Sequence, residues 1–134
     1  MIELSLRTSQ HTEFLDVTAR IQSAVGELDF RFGAVVVFNP HTTAAVTVNE
    51  GADPDVVRDL TATLDRLVPW EGDYRHAEGN AAAHVKASLV GNSVTVLVRD
   101  GRLRLGTWQK IYFCEFDGPR PRHLWVQPVR SDDC

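Results

Sequence analysis

Cysteine is scarce in this chain: there are two, Cys114 inside a strand-like run and Cys134 at the end. That usage forms no disulfide framework and fits a reducing cytoplasm, with Cys114 packed and Cys134 frayed. Long apolar runs are also missing, and none approaches the ~20 residues that a membrane-spanning helix needs. Met1-Ile2-Glu3-Leu4-Ser5 has no basic stretch followed by an apolar core, so it does not read as a secretory signal. Positive charge is in deficit, with a formal net charge of −4. A general nucleic-acid binder needs a basic face, so no nucleic-acid partner is expected. A local cationic pocket for a small phosphorylated metabolite is still allowed. There is no Gly-rich phosphate loop, nucleophile elbow, CxxC pair or dinucleotide fingerprint, and nothing supports Ser-His-Asp catalysis. The chemistry narrows to acid–base, anion-binding or metal-assisted work.

At 134 residues the chain reads as one domain, able to bury roughly 68% of its unfolded surface. Ile2 to Thr8 alternates as a strand, and Phe14 to Val17 reads as a second, short one. Thr18 suits the N-cap of a helix from Ala19 to about Leu28, with Ile21, Ala24, Val25 and Leu28 on one face. Gly33 to Phe38 is nearly all apolar, as a strand buried on both sides is. Asn39-Pro40 breaks it, and Thr42 to Asn49 resumes as a strand. Asp53 is a natural N-cap for the next helix, Pro54 suits its first position, and Val56, Val57, Leu60, Leu64 and Leu67 follow at helical spacing. Trp70 to Gly79 reads as a loop and Asn80 to Val90 as a helix closed by Gly91. Ser93 to Val98, Trp108 to Phe116 and His123 to Val129 read as strands, with a hairpin turn at Asp100-Gly101. The sum is an α+β fold, an antiparallel sheet or sandwich covered by two or three helices.

Three polar groups interrupt this framework. His41 stands at a strand edge, and Glu50 lies just past the other end of that strand. Taken alone, His41 reads more readily as a hydrogen-bonded structural residue than as a ligand. In the second group, residues four apart on a helix are neighbours, so Asn80, His84 and Ser88 form one stripe. Lys86 lies about 200° around the axis from His84 at ~100° per residue, so the two point to nearly opposite sides. The helix then sits between two pockets or two subunits, and its alanines permit close approach. Without such context Lys86 is a solvated surface lysine. His76 precedes His84 by eight residues, which is no tight metal-ligand spacing. Converging neutral imidazoles suit a divalent metal, and protonated ones suit a phosphate. In the third group, alternation puts Gln109, Ile111, Phe113, Glu115 and Asp117 on one face. Glu115 among apolar neighbours requires a partner or a cavity mouth. Arg120 can close back on Asp117 or Glu115, so a structural salt bridge competes with a functional role. Arg102, Arg104, Arg122 and Arg130 read as ordinary solvated charges.

His41-Thr42-Thr43-Ala44-Ala45, Asn49-Glu50, Ala52-Asp53-Pro54, Tyr74-Arg75-His76 and Glu78-Gly79-Asn80 stand in one fixed order. They are followed by Ala83-His84-Val85-Lys86-Ala87-Ser88-Leu89, Leu105-Gly106-Thr107-Trp108-Gln109 and Glu115-Phe116-Asp117-Gly118-Pro119-Arg120. Together these residues closely resemble the YjbQ family, also named for secondary thiamine-phosphate synthase activity, over nearly the whole chain. The resemblance implies a β-sandwich with packed helices, assembled as a homotrimer, with a polar pocket near a subunit interface. It implies His41, His76 and His84 as metal or anion ligands, with Zn²⁺ or a similar ion at the histidines. Glu50, Asn80 and Glu115 become acid–base or orienting groups, and Lys86, Arg120 and Gln109 phosphate partners. The named reaction joins hydroxymethylpyrimidine diphosphate to thiazole phosphate with Mg²⁺. The alternative is a non-enzymatic trimeric protein that binds a metal ion or a phosphorylated metabolite.

Overall fold

The computed structural model describes residues 1–132, so the expectation for Cys134 lies outside the described residues. The elements run β1 (Ile2–Arg7), β2 (Glu13–Asp16), α1 (Thr18–Glu27), β3 (Phe32–Phe38), β4 (Ala44–Glu50), α2 (Pro54–Leu67) and α3 (Ala81–Val90). They continue as β5 (Ser93–Arg99), β6 (Arg102–Arg104), β7 (Gln109–Glu115) and β8 (Pro121–Arg130). Strands β1-β8-β3-β5-β6 form one antiparallel sheet and β2-β7-β4 a second. The α+β expectation therefore holds. Asp100 and Gly101 both take positive φ, 53° and 73°, which is the twist that a tight β5–β6 hairpin needs.

Alternation decides which layer each side chain joins. Val35 and Val37 of β3, Ala44 and Val46 of β4, Ile111 and Phe113 of β7, and Leu124 and Val126 of β8 fill the core between the sheets, closed by Ile21, Ala24 and Val25 of α1. Fully burying one such Val, Leu, Ile or Phe contributes about 1.5–3 kcal/mol. The opposite faces of β4 and β7 give a second cluster in which Ala45, Tyr112 and Cys114 meet Ala83 and Ala87 of α3. The burial of Cys114 pushes its thiol well above the usual range. Helix α2 rests on this cluster through the partly buried Val57 and Leu64 and buries no residue completely.

Two expected boundaries move for identifiable reasons. Thr18 is the first residue of α1 rather than its cap. Its hydroxyl accepts from the Ile111 amide at 2.8 Å, and the Asp16 carboxylate accepts from the Thr18 amide at 3.0 Å. Strand β4 begins at Ala44, not Thr42, because Asn39 accepts from the His41 amide at 3.0 Å and donates to the Ala44 carbonyl at 2.6 Å. That side chain holds residues 39–44 in a corner that pairing would undo. Asp53 caps α2 as expected, accepting from the Asp55 amide at 2.9 Å.

Ala83 has no exposed surface and lies between α3 and the second sheet. Ala83→Leu should destabilise the protein by about 1–3 kcal/mol through overpacking, measured by urea unfolding.

Candidate functional site

Glu115 ends β7 on the face of Ile111 and Phe113 and has no exposed surface. Arg122, at the start of β8, is also buried and meets it two-fold: Nε donates to Oε1 at 2.9 Å and an Nη to Oε2. Thr8 donates to Oε1 at 2.7 Å and the Asp117 amide to Oε2 at 3.0 Å. Burial alone raises the carboxyl pKa, but the bonds from Arg122, Thr8 and the Asp117 amide outweigh it and hold Glu115 below the usual carboxylate range. Arg122 is therefore not the solvated charge expected of it. It follows the inward alternation of Leu124 and Val126, and its guanidinium is desolvated and paired. It also donates to the Thr43 hydroxyl at 2.9 Å, which ties the start of β4 to the pair. A Cβ on Gly118 would lie 2.7 Å from Glu115 Cγ and 2.8 Å from Thr8 Oγ1, so only glycine fits the turn beside it.

Around this pair the chain opens two adjoining cavities. One, of about 410 Å³, is lined by His41, Thr42, His76, Glu78, Asn80, His84, Arg120 and Arg122 among others. The other shares His41, Thr42 and His84 and extends along α3 past Ser88 to Asn92. His41 Nε2 accepts the His123 amide at 2.8 Å, and its ring stands edge-on to Phe113. Burial, then the Arg122 and His123 charges, lower the His41 pKa, so the ring is neutral at neutral pH. His76 and His84 stand edge to face with centroids 5.1 Å apart. Asp117 accepts from Asn80 at 2.9 Å and from Arg120 at 3.1 Å, which sets both beside the cavity. With its amide turned to Asp117, Asn80 leaves α3 without a side-chain cap. The partial positive charge of that helix start therefore meets the same cavity.

Other expected site residues lie elsewhere. Lys86 is on the far side of α3 from His84, as helical spacing requires, but it is buried rather than solvated. It pairs with Asp65 and faces a separate cavity with His11, Thr12 and Trp70. Glu50 pairs with Gln109 in the β4–β7 register, while Ala44 pairs with Glu115. Glu50 and Gln109 thus stand roughly 20 Å along the strands from the histidines, at ~3.3 Å per residue. Among the described residues no group of three or more His, Cys, Asp or Glu side chains is gathered to hold a metal ion. His41, His76 and His84 line one cavity together, with Nε2 of His41 taken up by the backbone amide of His123.

The model of the UPF0047 protein YjbQ-like family matches residues 2–131. UPF0047 protein YugU of Bacillus subtilis is 48% identical over 125 residues, covering 92% of this chain and 95% of that protein. The chain belongs to the YjbQ/UPF0047 family. UPF0047 protein MJ1081 of Methanocaldococcus jannaschii is 44% identical, covering 96% of this chain and 94% of that protein. The crystal structure of a YjbQ/UPF0047 family protein from Clostridium acetobutylicum matches with a TM-score of 0.94 at 52% identity, over 96% of this chain and 100% of that one. Conserved hypothetical protein TT1486 of Thermus thermophilus matches with a TM-score of 0.90 at 41% identity, over 96% and 100%. The names of these YjbQ/UPF0047 relatives carry no reaction, so membership establishes kinship and fold. No helix of the described residues is long and apolar enough to cross a membrane.

Within this YjbQ/UPF0047 chain, Arg122 and Thr8 are the residues that the sequence reading missed. For Arg122 the available signal was its register with Leu124 and Val126; for Thr8 there was none. Arg122→Met should cost about 3–5 kcal/mol, because it strands a buried carboxylate. A carboxyl held low when folded adds stability that is complete above the unfolded value and lost as pH falls through the folded one. Wild-type unfolding free energy should therefore drop as pH falls below about 4.5. The Glu115→Gln, Arg122→Met double variant should show a flatter acid limb in denaturant titrations.

Proposed function

We propose that this pocket holds the phosphoryl group of a small phosphorylated metabolite, in a homotrimeric enzyme with weak, secondary thiamine-phosphate synthase activity. The observation that carries the reading is the convergence of Arg120, Arg122, His41, His76, His84 and the uncapped start of α3 on one cavity. These groups supply N–H donors and positive charge, which a departing diphosphate requires. In that reaction the thiazole nitrogen attacks the pyrimidine methylene carbon as the carbon–oxygen bond to diphosphate breaks. Arg120 and Arg122 take up charge developing on the leaving oxygens, His84 and Asn80 orient the bound phosphoryl group, and Glu115 acts only by fixing Arg122. Mg²⁺ entering with the diphosphate would neutralise further charge.

Glu50 and Gln109 reach such a pocket only from a neighbouring copy, which is the contribution assigned to the homotrimer. Exposed apolar side chains support self-association: Val85 and Leu89 lie one turn apart on α3, near the end of the polar pocket, and Leu67 ends α2. Lys86 has no place at this pocket in one chain. A second reading, a non-enzymatic trimeric binding protein for a metal ion or phosphorylated metabolite, is favoured by the His76–His84 pair. Two imidazoles start a zinc site, and further donors would come from a ligand or another copy.

Purified protein given both thiamine precursors and Mg²⁺ should form thiamine phosphate slowly, while light scattering reads three times the chain mass. Arg120→Ala and His84→Ala should each lower the rate by about tenfold or more. Equal trace product in wild type and variants would mean a contaminating enzyme and end the transferase reading. Stoichiometric zinc without turnover would establish the second.

A further inference from the structure

Resting on the anion-pocket reading, we propose that His41 is a donor-only binding residue. It gives an Nδ1–H hydrogen bond to an acceptor oxygen of the ligand and is held in that tautomer by the backbone amide of His123.

The His123 N–H only donates, and it points at His41 Nε2 from 2.8 Å. Nε2 must therefore present a lone pair, and the single proton of a neutral imidazole sits on Nδ1. An imidazolium would set two N–H groups against each other. The charged groups around the ring reinforce this: Arg122 and His123 disfavour a cation at His41, and burial adds to them, against the weaker opposing pull of Glu115.

Nδ1 is the ring nitrogen left to act on a ligand. It has no hydrogen-bond partner among the described residues, yet it is not among the buried polar atoms left without one, so it is open to solvent. His41 lines both adjoining cavities and shares one of them with Arg120 and Arg122. The ring cannot easily turn, since Asn39 fixes its backbone amide and it packs perpendicular to Phe113 and stacked on His123.

Donor-only status separates His41 from the other histidines of the pocket. To ligate a metal or take a proton through Nδ1, the ring would have to move its proton to Nε2, against the His123 N–H. His41 therefore selects ligands that place an acceptor, such as a phosphoryl oxygen, beside it. It rejects a cation or an N–H donor at that point. General-base chemistry and metal ligation are left to His76 and His84.

Two amide substitutions separate the ring nitrogens. Asparagine carries its NH2 near the Nδ1 position and keeps the donor; glutamine carries its oxygen near Nε2 and keeps the acceptor for His123. Inorganic pyrophosphate titrated by calorimetry should bind His41→Asn within about threefold of wild type and His41→Gln about tenfold or more weakly. Melting curves check that both variants are folded. Ring-nitrogen NMR of the wild type should place the proton on Nδ1 throughout about pH 6 to 8. Retained binding by His41→Gln with loss in His41→Asn, or a proton found on Nε2, overturns the proposal while the anion pocket stands. No pyrophosphate binding by wild type, with the Nδ1 proton seen, overturns the pocket reading and the donor role together.

Discussion

The buried contact between Glu115 and Arg122 is the constraint on which this end of the molecule depends. Two charges with almost no exposed surface are tolerated because both carboxylate oxygens and the Nε and one Nη of the guanidinium are hydrogen-bonded. The ends of β1 and β7 and the starts of β4 and β8 each supply a partner through Thr8, Glu115, Thr43 and Arg122. Replacing the pair with well-packed apolar residues need not weaken the fold, but breaking it from one side must. What the pair gains is position. It brings both sheets to one point and sets a guanidinium at the edge of a cavity.

The chemistry of the cavity follows from that placement. Arg122 is partly neutralised by Glu115, so it acts as a rigid donor more than as a free cation. Arg120 is half exposed, and among the described residues its guanidinium is tied only to Asp117, so it carries the accessible charge. The field of Arg122 also helps keep His41 neutral. Donors thus outnumber acceptors on this wall although the whole chain is acidic. That balance of donors is what supports the proposed anion reading.

Much of this was legible in the sequence where one residue type has one good use. Asp53 and Pro54 marked the start of α2, and helical spacing put His84 and Lys86 on opposite sides of α3. Alternation along β7 placed Glu115 among core residues and demanded a partner. Identifying that partner failed because the obvious candidate, Arg120, was nearer in sequence. The true partner came from a different strand, whose inward alternation was visible but weighed less than its charge. Glu50 and His41 share one strand motif, so sequence alone groups them. Only the β4–β7 register shows that seven residues of extended chain carry Glu50 to the opposite end. The His41–His123 bond had no sequence signal, since it joins a side chain to a backbone amide 82 residues away.

The central claim is that the Glu115–Arg122 pair anchors an anion pocket of several donors at the start of α3. The most direct measurement is a crystal structure of the protein with saturating inorganic pyrophosphate. The account predicts density against Arg120, Arg122 and His41 at the first turn of α3. Pyrophosphate in the Lys86–Asp65 cavity instead, with this pocket empty, would contradict it.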